Sequence, residues 1–260
     1  GAGGVTGTQR AARAEPDGYT LLFSVESTMA IAKLVQPSVV QYDSQKDFEP
    51  VALLPANPYV VVARKSLPAN DLKELIAWLR ANPDKASQGT GGVGSGQHIS
   101  GVYFQKVTGA KFQFVPYRAG SADVMRDLMS GHIDIGFEQA IAALQQVRAG
   151  NIKALAVTSN KRLEVAPEVP TVDEAGAPGV HVSTWFGLWV PKGTPKAIVQ
   201  KVNQALETMI ARPDIRQKLE GLGLEILPPE QRTPAYLAKF LREDIERWGK
   251  VIQAAGISMD

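Results

Sequence analysis

The residues best able to do chemistry in this 260-residue chain are bunched in Gln88-Gly89-Thr90-Gly91-Gly92-Val93-Gly94-Ser95-Gly96-Gln97-His98. A glycine-rich turn feeding a helix leaves N–H groups without helical partners at the positive end of the helix dipole, which suits a phosphate or a carboxylate. The helix that follows carries Ile99, Val102 and Tyr103 and stops near Gly109. The amides of the turn are therefore expected to be free for an anion. A plainer reading gives the glycines only the task of supplying positive φ, with Ser95 as the N-cap. A second anion candidate is Val115-Pro116-Tyr117-Arg118-Ala119-Gly120-Ser121, a strand end opening a helix with Val124, Leu128 and Met129. There Arg118 could add a bidentate fork beside Gly120 and Ser121, or could simply be a solvated arginine. Glu138 closes an alternating apolar segment, the edge where α/β sheets collect ligand residues, or it is an ordinary surface carboxylate.

Other chemistries fit poorly. Gly89 to Gly94 spells G-x-G-x-x-G, yet Asp84-Lys85-Ala86-Ser87 makes a poor buried strand and no acidic residue ends a strand about 20 residues on. A nucleotide-dependent oxidoreductase using this loop is kept as the alternative. The P-loop pattern fails because Ser95, not lysine, follows Gly94. His98, His132 and His181 are too far apart for H-E-x-x-H, and there is no cysteine, so no metal is expected. Ser95 lacks the nucleophile-elbow pattern, so neither an enzyme nor a cofactor is expected. The lack of cysteine fits an oxidising compartment. A net charge of +2, with arginines scattered at positions 10, 64, 118, 148 and 212, argues against a nucleic-acid partner. No apolar run is long enough to cross a bilayer, and the opening Gly-Ala-Gly-Gly-Val has neither the charged nor the apolar part of a signal peptide.

The elements that must position these residues alternate between short apolar runs and helix-period segments, an α/β pattern that predicts largely parallel sheets covered by helices. Strands are expected at Tyr19 to Ser24, Val60 to Arg64, Phe112 to Tyr117, His132 to Glu138 and Ile152 to Ser159. Helices are expected from Asn70 to Ala81, from Thr194-Pro195 to Arg212, on to Gly221, and from Thr233-Pro234 to Gly256. Pro50 to Arg64 and Thr184 to Gly193 read as crossovers between two lobes, with Trp185, Phe186 and Trp189 as packing.

Several fragments point the same way. Pro16-Asp17-Gly18-Tyr19-Thr20-Leu21-Leu22, Tyr42-Asp43-x-x-Lys46-Asp47-Phe48-x-Pro50-Val51 and Gly92-Val93-Gly94-Ser95 come first. Val115-Pro116-Tyr117-Arg118, Pro167-Glu168-Val169-Pro170-Thr171 and Trp189-Val190-Pro191-Lys192-Gly193-Thr194-Pro195 follow in order. Together they resemble the Bug family of periplasmic receptors, which is similar to the tricarboxylate-binding receptors of tripartite tricarboxylate transporters.

The resemblance implies a two-lobed Venus-flytrap protein of the periplasmic-binding-protein type II class, hinged between its lobes, that holds a carboxylated metabolite without altering it. It implies a first lobe of residues 1–62 and 190–260 and a second of 63–189. By resemblance the ligand meets Thr90, Gly94, Ser95, Gly96, His98, Arg118, Gly120, Ser121 and Glu138 of the second lobe, and Ser24, Ser27 and Thr28 of the first. The implied partners are a small di- or tricarboxylate, aromatic acid or acidic amino acid, and membrane transporter subunits or a sensor protein, with the receptor a periplasmic monomer. Two departures stand out: Glu138 replaces the family's usual Asp, and the strand, helix and strand that open the family's first lobe have no counterpart before Gly1.

Overall fold

A computed structural model describes residues 4–117 and 121–255. The chain runs α1 (Val5–Ala12), β1 (Leu22–Val25), a π-helical turn (Ser27–Ile31), α2 (Ala32–Val35), β2 (Phe48–Arg64), α3 (Leu72–Ala81), β3 (Ser87–Thr90) and α4 (Gly96–Thr108). It continues with β4 (Gln113–Pro116), α5 (Ser121–Ser130), β5 (Ile135–Gln139), α6 (Ala140–Arg148), β6 (Ile152–Val157) and β7 (Ser183–Pro191). Helices α7 (Lys196–Ala211), α8 (Pro213–Gly221) and α9 (Pro234–Ala255) complete it. Two compact units result: residues 1–56, 185–219 and 225–260 in the first, and 57–184 with 220–224 in the second. One division falls inside β2 between Pro55 and Pro58, where the ladder lacks two N–H donors. Another falls after Thr184 near the start of β7.

In the second unit β2 runs between β6 and β5, with β3 and β4 beyond β5. Strand β3 is parallel to β4 and β5, whereas β2 is antiparallel to both β5 and β6. The sheet is thus mixed, which corrects the largely parallel arrangement expected above. The βαβ alternation is present, and β2 is reversed because it enters from the other unit instead of following a crossover helix. Val60 through Ala63 are fully buried in the middle of this sheet, as a continuous apolar run demands. Val60 and Val62 pack with Val124, Leu128, Ile133 and Ala143 in one cluster. Strand β3 begins at Ser87, so a strand does precede the glycine loop; it is only four residues long and polar, which is why its apolar pattern was faint.

In the first unit β1 pairs antiparallel with β7, with Ser24 opposite Gly187, and β7 neighbours β2. Val51, Ala52, Val190 and Val199 form a core beneath α7. Helix α9 runs 22 residues, with Leu237, Leu241, Trp248 and Ile252 buried at helical spacing. Its expected terminal residue, Gly256, lies outside the described residues.

Candidate ligand-binding site

Strand β3 passes to α4 through Gly91–Ser95, where Gly92 and Gly94 take φ of 103° and 77°. The Gly91 N–H donates to Gln97 Oε1 at 2.7 Å and that of Gly92 to Thr90 Oγ1 at 3.3 Å. Gly94 N–H donates to His98 Nδ1 at 3.3 Å, and Ser95 N–H to the Gly92 carbonyl at 3.1 Å. The expectation of free loop amides is therefore corrected: polar side chains reach back and fold most of the loop onto itself. Among the described residues, the N–H groups of Val93, Gly96 and Gln97 have no partner. Gly96 and Gln97 hold the first two helical positions, whose N–H groups an α-helix cannot satisfy. Ser95 caps the helix by accepting from the His98 amide at 3.3 Å.

His98 is buried, with its ring against Phe114 at 4.7 Å, and burial pushes its pKa below the ordinary histidine value. An imidazole whose Nδ1 accepts from Gly94 carries its proton on Nε2 and is a neutral donor there. Gly96 is required by space: a Cβ there would lie 2.1 Å from the Tyr59 hydroxyl. That hydroxyl accepts from Thr184 Oγ1 at 2.8 Å.

Behind the loop lies a buried polar network. Gln97 Nε2 donates to Glu138 Oε1 at 2.6 Å while its own Oε1 accepts from Gly91. The Gln97 carbonyl accepts from Gln88 Nε2 at 2.8 Å. Ser121 Oγ, at the start of α5, donates to Glu138 Oε2 at 2.6 Å. Glu138 is fully buried on β5, which overturns its reading as a surface carboxylate. Burial pushes its pKa up to about 7 against the opposing pull of the Ser121 and Gln97 hydrogen bonds. Thr90, Gly94, Ser95, His98, Ser121 and Glu138 are thus linked within one unit, with Gly96 held beside them by Tyr59. Arg118 and Gly120 lie outside the described residues.

Ser24, Ser27 and Thr28 belong to the first unit. Ser24 Oγ and Thr28 Oγ1 are 2.5 Å apart and buried, and Thr28 Oγ1 donates to the Val25 carbonyl at 2.9 Å. Ser27, partly exposed, opens the π-helical turn. Between them sits Glu26, buried, which accepts from Trp248 Nε1 at 2.6 Å. Asp244 accepts from Trp185 Nε1 at 2.8 Å, and Arg247 reaches Asp244 at 2.7 Å and Glu26 at 3.5 Å. Burial, then the nearness of Asp244, pushes Glu26 up to about 8. Burial raises Asp244 as well, and Arg247, which lies closer to Asp244 than to Glu26, opposes that rise more at Asp244.

Sequence reasoning passed over Gln97 and Glu26. Gln97 lay in plain view between Gly96 and His98; Glu26 gave no signal, because its partners come from more than 200 positions away.

The arrangement offers helix-start amides, hydroxyls and a neutral imidazole N–H, donors of the kind an anion takes. The oxidoreductase alternative has no support: Gly94 precedes the helix instead of opening it, and β4 ends at Pro116 without an acidic residue. No helix among the described residues is long and apolar enough to cross a membrane.

Among solved structures, the periplasmic binding protein BugD is 34% identical, covering 99% of this chain and 85% of that one with a TM-score of 0.87. MatC from Rhodopseudomonas palustris, solved with bound malate, is 36% identical over 97% of this chain and 85% of its own, TM-score 0.85. A second R. palustris protein, solved with adipate, is 32% identical over 99% and 85%, TM-score 0.90. The fold is thus that of the periplasmic binding proteins of this type. The sequence profile described as "Tripartite tricarboxylate transporter family receptor" matches residues 1–257. A match of that extent, carried by the same fold, means that the chain belongs to the family of receptors of the tripartite tricarboxylate transporters.

Proposed function

We propose that this chain is a periplasmic, monomeric receptor that captures a small dicarboxylate and delivers it, chemically unchanged, to membrane transporter subunits. The observation that carries the reading is the start of α4, where the unpartnered N–H groups of Gly96 and Gln97 stand beside the Ser95 hydroxyl. One ligand carboxylate takes these donors, with His98 Nε2–H, Ser121 and Thr90 around it. By the family resemblance, Arg118, Gly120, Ser24, Ser27 and Thr28 are further candidate ligand contacts. The malate and adipate bound by the two R. palustris relatives support a dicarboxylate over a phosphate. The receptor is not an enzyme in this reading, since His98 Nδ1 is occupied by Gly94 and Ser95 Oγ by the His98 amide.

Thermal-shift and calorimetric titration with dicarboxylates, tricarboxylates, aromatic acids and nicotinamide dinucleotides tests it. Stabilisation by one class of carboxylate, reduced in Ser95→Ala, is expected. Stabilisation by a dinucleotide alone would overturn the reading.

A further inference from the structure

Glu138 is a buried acid whose two oxygens have one partner each, and the partners are not equivalent. Gln97 Nε2 is a permanent donor; turning the amide round would strip Gly91 N–H of the Oε1 it uses at 2.7 Å. Ser121 Oγ is a hydroxyl that can give or accept. When Glu138 is ionised, Ser121 must donate its hydrogen inward across the 2.6 Å contact, and only its lone pairs remain for anything outside. When Glu138 is protonated, the proton can sit only on Oε2, because Gln97 cannot accept. It then points at Ser121 Oγ, and the serine hydrogen is released outward. Ser121 is solvent-exposed at the start of α5 while its partner is wholly buried, so the reversal is felt on the outer side.

We propose that Glu138 and Ser121 form a proton-operated selector that determines which ligand group the site accepts. Ionised, the pair presents an acceptor and takes a ligand hydroxyl or ammonium. Protonated, it presents a donor and takes a carboxylate oxygen, drawing one proton from water as that carboxylate binds. The inference rests on the receptor reading above and adds to it a residue that acts through another: Glu138 positions a hydrogen and Ser121 makes the contact. The burial that pushes Glu138 up to about 7 puts the change within the ordinary pH range.

Among the described residues, no charged side chain sets the titration of Glu138, which responds to burial and to its two hydrogen bonds. Helix α4 contributes Gln97 and His98, whose imidazole is held neutral by burial. Helix α5 contributes Ser121 and Asp123, the latter paired with Arg126 at 2.9 Å. Strand β2 places Val60 opposite Glu138, next to Tyr59.

Calorimetry with malate and adipate in two buffers of different ionisation heat counts protons taken up on binding. The wild type is expected to take up a fraction of a proton that grows above about pH 7, with affinity for adipate falling about tenfold per pH unit there. Glu138→Gln copies the protonated acid, since its carbonyl accepts from Gln97 and its amide donates to Ser121. It is expected to bind adipate with no proton uptake and no pH dependence. Equal uptake in Glu138→Gln, or wild-type affinity flat from about pH 6 to about pH 9, would overturn the selector. If neither acid binds, the dicarboxylate reading fails, and the selector is judged on the unliganded protein. Infrared spectra of 13C-glutamate-labelled protein should then contain, beside the band of buried Glu26, a second protonated-carboxyl band that is lost in Glu138→Gln and fades as pH rises through about 7. No such band at about pH 6 would overturn it.

Discussion

At Ser95 one oxygen caps α4 by accepting from the His98 amide, and the same oxygen is proposed to face the ligand carboxylate. Ser95→Ala should therefore show two separable losses. The missing cap costs about 1 kcal/mol of stability, read from denaturant unfolding. The missing hydrogen bond to a charged oxygen costs about 1.5–3 kcal/mol of affinity, roughly a tenfold to hundredfold rise in Kd by calorimetry. Gly96 answers to space: its Cβ would strike the Tyr59 hydroxyl, which is itself tied to Thr184. Gly96→Ala should lose about 1–3 kcal/mol through overpacking, and adding Tyr59→Phe should return part of it. A double-mutant cycle in thermal unfolding reads the coupling, and additive effects would mean the two residues do not meet.

At the scale of elements, α9 anchors the turn between β1 and the π-helical segment by placing Trp248 and Arg247 on Glu26. Glu26 and Glu138 both have pKa values raised in the folded protein, by burial first, to about 8 and about 7. In the unfolded chain both ionise near 4.5. Between those limits the folded state holds more protons than the unfolded one, so stability is greatest at low pH within this window and falls as pH rises toward 7 and 8. Glu26→Gln should flatten that decline between about pH 5 and about pH 8, as measured by melting temperature against pH. A decline equally steep in the variant would mean that Glu26 is ionised in the native protein. These elements were unequally legible. Helices α3, α7, α8 and α9 announced themselves through proline or Asp caps and regular apolar spacing, and the β2 and β7 crossovers through β-branched runs. The π-helical turn, α1 and α6 did not, because their faces are short and their sequence lacks a start or stop signal. For the site, Gly89–His98 was visible as a run of special-backbone residues. What Gln97 joins was not, since it brings together α4, α5 and β5 through side chains more than 20 positions apart.

For the whole molecule, the proposed receptor role means that ligand binding appears as stability. A dicarboxylate at a hundred times its Kd should raise folding stability by about 2.7 kcal/mol, a shift of several degrees in a chain of this size. A nicotinamide dinucleotide at the same concentration should leave the melting temperature unmoved. The mixed sheet of the second unit and the β1–β7 pairing of the first each form a compact unit with its own core. Substitutions in the core of the first unit, such as Val190→Ala, should lower stability by about 1–3 kcal/mol without altering the caps and donors of α4 in the second.

The two indoles lodged against acids in the first unit give the protein an optical reporter of its own. Trp248 donates to Glu26 and Trp185 to Asp244, so each ring nitrogen senses whether its carboxyl is neutral or charged. When Glu26 ionises, a negative charge appears 2.6 Å from the Trp248 nitrogen, and the colour and yield of that indole's emission change with it. Intrinsic fluorescence, recorded without any label, therefore follows the state of the acid beneath the Ser24–Thr28 turn.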